Sequence, residues 1–117
     1  MNCIIQTDRL KLREFELTDA SFIVELLNSE GWLRFIGKSS VQTDEQARNY
    51  LINGPLKSYR ENGYGLCMVE RTIDGKPIGM CGIIKRDSLA MPDIGFAFLP
   101  EFQSKGYAFE IASATLE

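Results

Sequence analysis

LPEFQSKGYAFEIA, residues 99–112, is the stretch of this sequence that says most about its fold and its chemistry. It follows an apolar run, contains a single glycine, Gly106, and continues into residues that favour a helix. The first amides of a helix lack intrahelical acceptors, and in a turn that contains glycine they can converge on one anion. The stretch therefore predicts a strand-to-helix turn able to bind a phosphate group, although a tight connection without a ligand also explains Gly106 taken alone.

The run before this turn predicts a strand over Asp93–Leu99. Apolar residues at 94, 96 and 98 alternate onto one face of it, whereas the middle of the other face carries only Gly95 and Ala97. Small residues on a core strand fit either a helix packed closely against the sheet or a ligand lying along the backbone. Both interpretations stay open from the strand alone.

Periodicity and capping signals define the remaining elements. They are a strand over Thr7–Phe15 with a solvated basic face, a helix with Thr18 as its N-cap, a second helix opened by the capping box Thr43–Gln46 and interrupted at Pro55, and a β-hairpin of Leu66–Arg71 and Ile78–Lys85 around the turn Asp74-Gly75. The order β-α-α-β-β-β-α predicts an α+β fold, which is also a three-layer α/β arrangement. With 117 residues the chain is long enough for one core and too short for two, so we expect residues 1–117 to form a single domain.

The composition excludes several kinds of site. The chain has no histidine, which removes Ser-His-Asp and Cys-His catalysis and every metal site that needs histidine. Its formal net charge is −3, with the signs interspersed and no basic run, so we expect no nucleic-acid partner. No apolar stretch is long enough to span a bilayer, and the first residues lack the pattern of a secretion signal, which predicts a cytoplasmic protein with no membrane partner.

The cysteines give a further expectation. Cys3, Cys67 and Cys81 are an odd number without a C-x-x-C pair, which predicts neither a disulfide framework nor a zinc ribbon but buried, reduced thiols. If Asp74-Gly75 forms a two-residue hairpin turn, Cys67 lies opposite Gly82, and Cys67 and Cys81 then occupy opposite faces of the sheet.

Gln103-x-x-Gly106-x-Ala108, placed between a strand and a helix, resembles the acetyl-coenzyme A (acetyl-CoA) signature Q/R-x-x-G-x-G/A of the GNAT superfamily of N-acetyltransferases. The opening TDRLKLR, residues 7–13, followed by Thr18-Asp19-Ala20, is similar to that of the branch containing ribosomal-protein N-terminal acetyltransferases. Pro77-Ile78-Gly79 and Asp93-Ile94-Gly95-Phe96 resemble the central strands of that branch. The resemblance covers essentially the whole chain and implies a GNAT-like mixed, mainly antiparallel central sheet with flanking helices.

The resemblance also implies a binding site for acetyl-CoA as co-substrate, with no metal. The implied ligands of the coenzyme diphosphate are the main-chain amides of Gln103, Ser104, Lys105, Gly106, Tyr107 and Ala108. Phe98 and Leu99 are implied to offer main-chain groups to the pantetheine arm. This placement puts the thioester beside Gly95 and Ala97, which gives the small face of the strand a use.

The implied reaction is direct attack of a primary amine, such as a protein N-terminus, on the thioester without an acyl-enzyme. Asp93 matches a position where this branch often carries glutamate, so Asp93 is the candidate general base through water, and a solvated loop carboxylate is the alternative interpretation. A main-chain amide in Phe98–Leu99 is the candidate donor to the oxyanion, and the sequence offers no candidate for protonating the thiolate. Much of the acceptor pocket is expected from Trp32–Ser40.

The family pattern continues beyond Glu117 through another strand, a helix and a hairpin, so we expect this chain to be the N-terminal portion of the fold, lacking the C-terminal strands. Strand Asp93–Leu99 is then expected to present an open edge, which favours a homodimer or a strand-swapped oligomer. The alternative function is a catalytically inactive interaction module that self-associates through this edge.

Overall fold

The computed structural model describes residues 5–29, 41–84, 93–102 and 106–115, which form a five-stranded sheet with flanking helices. The strands are β1 (Ile5–Gln6), β2 (Leu10–Arg13), β3 (Leu66–Arg71), β4 (Lys76–Ile84) and β5 (Asp93–Phe98), in the spatial order β1-β2-β3-β4-β5. The helices are α1 (Ala20–Leu27), α2 (Asp44–Asn53), α3 (Pro55–Asn62) and α4 (Tyr107–Thr115), with 3₁₀ turns at Leu17–Asp19 and Pro100–Phe102. All pairings among the described strands are antiparallel, and the α+β class is confirmed, with the short β1 as an addition to the predicted order.

The second predicted helix is confirmed as two helices with the expected signals. Thr43 Oγ1 accepts a hydrogen bond from the Gln46 amide at 3.1 Å, and Gln46 Oε1 accepts one from the Thr43 amide at 3.1 Å, which completes the capping box. Pro55 is the first residue of α3, a position that suits proline because an N–H in the first turn of a helix has no intrahelical acceptor and proline has no N–H. Gly63, with φ of +77°, ends α3 in the left-handed conformation.

The predicted start of the first helix is wrong. Thr18 lies in a 3₁₀ turn, and α1 begins at Ala20 with Asp19 as its N-cap residue. The Asp19 carboxylate accepts hydrogen bonds from the Glu16 amide at 2.8 Å and from both Nη atoms of Arg13 at 2.8 and 2.9 Å. The expectation of a solvated basic face on β2 therefore also fails for Arg13, because the Asp19 carboxylate contacts its guanidinium.

The predicted register of the β-hairpin is wrong by one residue on the Cys67 side. The connection has four residues, 72–75, and Arg71 pairs with Lys76. A bulge between Val69 and Glu70 then shifts the register, so that Cys67 lies directly opposite Cys81 on the same face of the sheet. Cys81 is a free, buried thiol as expected, whereas Cys67 is disulfide-bonded, contrary to the expectation of reduced thiols.

The sheet is buried on both faces. Cys81 Sγ of β4 lies 3.8 Å from Thr115 Oγ1, so α4 covers the face that carries Cys81. Side chains alternate along a strand, so the paired Met68 and Met80 point to the opposite face, where both are at most 3% exposed. The Tyr59 hydroxyl of α3 donates to the Leu66 carbonyl of β3, and the buried residues of the sheet and of the flanking helices form one hydrophobic cluster.

Candidate functional site

Gly106 opens the turn in which α4 begins. Its φ of +79° lies in the left-handed region that side chains rarely adopt, which is the physical reason for glycine at this position. The amide of Glu110 donates to the Gly106 carbonyl at 3.0 Å, which is the first bond of the helix. The amides of Tyr107, Ala108 and Phe109 precede that bond, so helix geometry gives them no intrahelical acceptor.

A side chain from the start of β2 borders this turn. A β-carbon built on Gly106 would lie 3.4 Å from Arg9 Nη2. The Arg9 guanidinium carbon also lies 4.5 Å from the centre of the Tyr107 ring, and that ring is buried against the core. Gly106 therefore faces a cation at contact distance, and an aromatic ring lies below the cation.

The carboxylate of Glu110, in the first turn of α4, holds Arg9 in this position. Glu110 Oε1 accepts from Arg9 Nε at 2.7 Å, and Oε2 accepts from the Arg9 amide at 3.1 Å and from the Thr7 hydroxyl. Burial by itself would raise the pKa of Glu110, but these hydrogen bonds outweigh it and hold the pKa below its ordinary value. Glu110 is therefore ionised at neutral pH and paired with Arg9.

Thr7, Arg9 and Glu110 were not among the predicted site residues. Sequence periodicity assigns Arg9 to a solvated strand face, and its side chain is indeed 47% exposed, but the carboxylate that pairs with it is 101 residues further along the chain. No local pattern contains that pairing. The only available signal is the position of Glu110, four residues after Gly106 on a helix, which places both on the same side.

Along the edge strand β5, the main-chain N–H and C=O groups of successive residues point alternately towards β4 and towards the outer edge of the sheet. The Leu99 amide donates to the Ile78 carbonyl of β4 at 3.0 Å, and the Leu99 carbonyl accepts from the Phe102 amide at 2.9 Å. Because main-chain groups alternate in direction along an antiparallel strand, those of Phe96 and Phe98 point to the outer edge of the sheet. The Leu99 N–H is thus bonded inside the sheet, whereas Phe98 is placed on its outer edge, and the use of both residues by a pantetheine arm stays a prediction.

The small residues of β5, Gly95 and Ala97, pair across strands with glycine or methionine. Gly95 pairs with Gly82 and Ala97 with Met80 across the β4–β5 ladder. Asp93 opens β5 opposite Ile84, about 17 Å from Phe98 at the rise of an extended strand. A ligand that reached from the α4 turn to Asp93 would therefore have to be extended along the strand.

Several predicted residues lie outside the described ranges. These are Gln103, Ser104 and Lys105 of the turn and the acceptor segment Trp32–Ser40. Within residues 5–29, 41–84, 93–102 and 106–115, no group of three or more acidic or cysteine side chains could hold a metal ion. None of the helices in these ranges has the length and apolar character needed to cross a membrane.

The arrangement can be compared with known proteins. Residues 9–117 match the family described as acetyltransferase (GNAT) domain. The uncharacterized N-acetyltransferase YnaD of Bacillus subtilis (strain 168) is 33% identical over 113 residues, which are 97% of this chain and 63% of that protein. A GNAT-family acetyltransferase structure from Bacillus anthracis has a TM-score of 0.74 at 27% identity, over 97% of this chain and 63% of its own.

A third similar protein is the microcin C7 self-immunity acetyltransferase MccE, whose structure contains acetyl-CoA and AMP. It has a TM-score of 0.72 at 16% identity, over 92% of this chain and 61% of its own, and it supports the fold alone. This chain thus spans about 63% of the length of YnaD and of the B. anthracis structure. The family match covers nearly all of the sequence, and the chain belongs to the acetyltransferase (GNAT) domain family.

Proposed function

We propose that this chain binds acetyl-CoA at the first turn of α4 and takes part in transfer of the acetyl group to a primary amine. The observation that carries the proposal is the left-handed Gly106 turn, which follows a sheet-edge strand and leads into a helix. Membership of the GNAT family and the Q-x-x-G-x-A spacing support the same ligand. An inactive interaction module is less well supported, because YnaD and the similar structures are named acetyltransferases.

The coenzyme diphosphate is assigned to the amides of the turn, from Gln103 through Gly106 to Ala108. Each amide bonded to a charged oxygen contributes about 1.5–3 kcal/mol, and the helix dipole adds to this attraction. The β-carbon position of Gly106 lies at ordinary contact distance from Arg9 Nη2, so a diphosphate bound here also meets a positive charge. The residues present therefore fit the group.

The pantetheine arm is assigned to the outer edge of β5. Strand alternation places the main-chain groups of Phe96 and Phe98 on that edge, and we assign the extended arm to it in the manner of an added strand. The thioester then lies along the part of β5 that contains Gly95 and Ala97, where small side chains leave the backbone accessible. This path runs from the α4 turn towards Asp93 at the other end of the strand.

Asp93 is our proposed general base. In the reaction the amine nitrogen forms a bond to the thioester carbonyl carbon, the carbon–sulfur bond breaks, and the thiolate leaves and takes a proton from water. Asp93 accepts the proton lost by the amine through a water molecule, a role typically worth about 100- to 10,000-fold in rate. Aspartate at the start of β5 suits this role because the strand carries the coenzyme past it.

The finer assignments complete the proposal. The acceptor is a primary amine, with a protein N-terminus as one member of the class, and the segment Trp32–Ser40 contributes to its pocket. Residues 1–117 act as one domain in the cytoplasm. In the absence of coenzyme, two copies associate through the β5 edge, where the Phe96 side chain is 53% exposed and β5 pairs with β4 alone among the described strands; the second copy and the pantetheine arm therefore compete for one edge.

Binding and turnover are tested separately. We expect titration calorimetry of the 117-residue chain to detect acetyl-CoA binding, and thiol release with a mixture of primary amines to detect transfer. Asp93→Asn should keep the binding heat and reduce thiol release at least tenfold. A chain that remains folded but gives neither heat nor thiol release contradicts the proposal.

Self-association is tested by sedimentation velocity of dilute protein. We expect a dimer for the unaltered chain and a monomer for Phe96→Asp, because a charge at an exposed edge position opposes strand pairing. Ile73→Asp is the matched control, because Ile73 is 86% exposed but lies in the β3–β4 connection, away from that edge. A stable monomer of the unaltered chain contradicts the dimer.

A further inference from the structure

Two opposite charges meet at the first turn of α4. Glu110 lies in that turn, and Arg9 lies immediately before β2, in the segment that also supplies Thr7. Both carboxylate oxygens of Glu110 accept hydrogen bonds, and among the described residues the donors are Thr7 and Arg9. The Glu110 side chain is 20% exposed and that of Arg9 is 47% exposed, so the pair sits at the surface with the carboxylate on the inner side.

The carboxylate has two opposing effects on the turn. An anion in the first turn of a helix is stabilising because it interacts favourably with the positive end of the dipole. The same negative charge repels any anionic ligand that uses the amides of that turn. A site for a diphosphate therefore requires a nearby positive charge to offset Glu110.

Arg9 has the position that this offset needs. Its Nε contacts Glu110 at 2.7 Å, while its Nη2 reaches to 3.4 Å from the β-carbon position of Gly106. The guanidinium therefore spans the distance from the carboxylate to the α-carbon that opens the turn. Its plane lies over the Tyr107 ring, and the ring limits the directions in which it can move.

We infer that Arg9 is a charge-balancing and positioning residue of the coenzyme site: it neutralises Glu110 and presents its guanidinium beside Gly106, so that the α4 turn accepts a diphosphate. The inference rests on the proposed function and extends it to a residue outside the Q-x-x-G-x-A motif. Glu110, in return, fixes the direction of the guanidinium through the Nε bond.

This inference predicts an order of affinities that a purely structural pair does not. Arg9→Gln leaves one uncompensated negative charge at the turn, Glu110→Gln leaves one positive charge, and the double variant is neutral like the unaltered chain. Affinity for coenzyme A should therefore be lowest for Arg9→Gln, higher for the double variant, and highest for Glu110→Gln and the unaltered chain. A pair that only braced α4 would make both single variants similarly weak.

The experiment measures the dissociation constant of coenzyme A for the four proteins by calorimetry at low ionic strength. We expect Arg9→Gln to weaken binding about tenfold, the double variant to recover to within about threefold of the unaltered chain, and the difference to shrink in 0.5 M salt. S-acetylpantetheine, which has no diphosphate, is the matched ligand, and its affinity measured by ligand-observed NMR should change less than twofold across the series.

Folding of each variant is checked by circular dichroism and urea unfolding, and Arg9→Lys keeps the charge if Arg9→Gln does not fold. Arg9→Lys should bind coenzyme A within about threefold of the unaltered chain. Equal weakening by the two single variants, a double variant weaker than Arg9→Gln, or equal losses for S-acetylpantetheine overturns the inference alone. Failure of the unaltered chain to bind coenzyme A overturns the proposed function, and the inference with it.

Discussion

Two arginines at opposite ends of the same N-terminal strand do similar work in different surroundings. Arg13, the last residue of β2, bonds to Asp19 at the start of α1 and to Glu70 on β3. Arg9, just before β2, bonds to Glu110 at the start of α4. Each arginine therefore connects the sheet to the beginning of a helix through a carboxylate.

The difference between them is exposure and neighbours. The Arg13 side chain is 24% exposed, and its guanidinium bonds to two acids and the Glu14 carbonyl. The Arg9 side chain is 47% exposed and borders Gly106. Enclosure by protein acceptors commits Arg13 to stability. The comparison teaches that the same ion-pair chemistry serves folding at one end of the strand and, in our proposal, ligand binding at the other.

The largest expected effect comes from Arg13, the more buried of the two arginines. We expect Arg13→Gln to lower the free energy of unfolding by about 3 kcal/mol, because it leaves two partly buried carboxylates without their cation. Urea unfolding measures the loss, and Lys11→Gln, an exposed position on the same strand, should stay within about 0.5 kcal/mol. Coenzyme A affinity of folded Arg13→Gln should be unchanged; a tenfold loss there would erase the distinction between the two ends.

The next prediction concerns Gly106, beside Arg9, and separates the cost of backbone strain from the loss of ligand binding. Gly106→Ala and Gly63→Ala both force alanine into a positive φ, +79° and +77°, so each should cost about 1–2 kcal/mol of stability. Only Gly106→Ala places a methyl group on the surface between the α4 turn and Arg9, so only it should weaken coenzyme A binding, by about tenfold or more. Equal coenzyme affinities of the two variants would contradict the proposed site.

A smaller effect concerns pH, and it compares the two carboxylates. Burial raises the pKa of Asp19, but its bonds to Arg13 and the Glu16 amide outweigh this, so the pKa lies below its ordinary value of 3.8. A depressed folded pKa means stability that is present above pH 3.8 and is lost as the pH falls through the lower, folded pKa. The same sign holds for Glu110, whose pKa is also lowered.

We therefore expect the free energy of unfolding to decrease as the pH is lowered below about 4, and both Asp19→Asn and Glu110→Gln to flatten that decrease. Asp19→Asn should flatten it more, because the Asp19 side chain is 9% exposed against 20% for Glu110 and water screens its pairing less. Urea unfolding at several pH values between 6 and 2.5 gives the slopes. If Glu110→Gln flattened the pH dependence of the free energy of unfolding more than Asp19→Asn, the ranking of the two carboxylates would be reversed.

The smallest effect belongs to a third arginine pair in the β3–β4 connection. Arg71 Nη2 lies 2.5 Å from Asp74 Oδ2, and this pairing lowers the pKa of Asp74 to about 2. The pair is exposed to water, so Asp74→Asn should leave the urea midpoint within experimental error of the unaltered chain. A clear loss of stability would mean that exposure does not explain the difference between Arg13 and Arg9.

The sequence predicts what local patterns contain. Thr43 and Gln46 form their capping box because both partners lie within one turn, and Pro55 and Gly106 act at their own backbone positions. What it misses depends on partners remote in sequence or on a single extra residue. Arg9 meets Glu110 across 101 residues, and the bulge beside Val69 changes the partner of Cys67.

The site itself follows the same division. The left-handed φ of Gly106 and the alternation that turns Phe98 to the sheet edge are local properties, so sequence patterns can indicate them. The Leu99 N–H pairs with the Ile78 carbonyl on β4, and periodicity alone does not give the register that decides this pairing. The role of Asp93 stays a prediction.

The separation of 101 residues between Arg9 and Glu110 also has a consequence for how the molecule assembles. Closing so long a loop is entropically costly, and in vectorial synthesis residue 9 leaves the ribosome long before residue 110. The early hairpin and helices can form from nearer contacts, whereas the first turn of α4 gains its brace only when the two distant segments meet. Competence to hold the coenzyme should therefore be among the last properties that a newly made chain acquires.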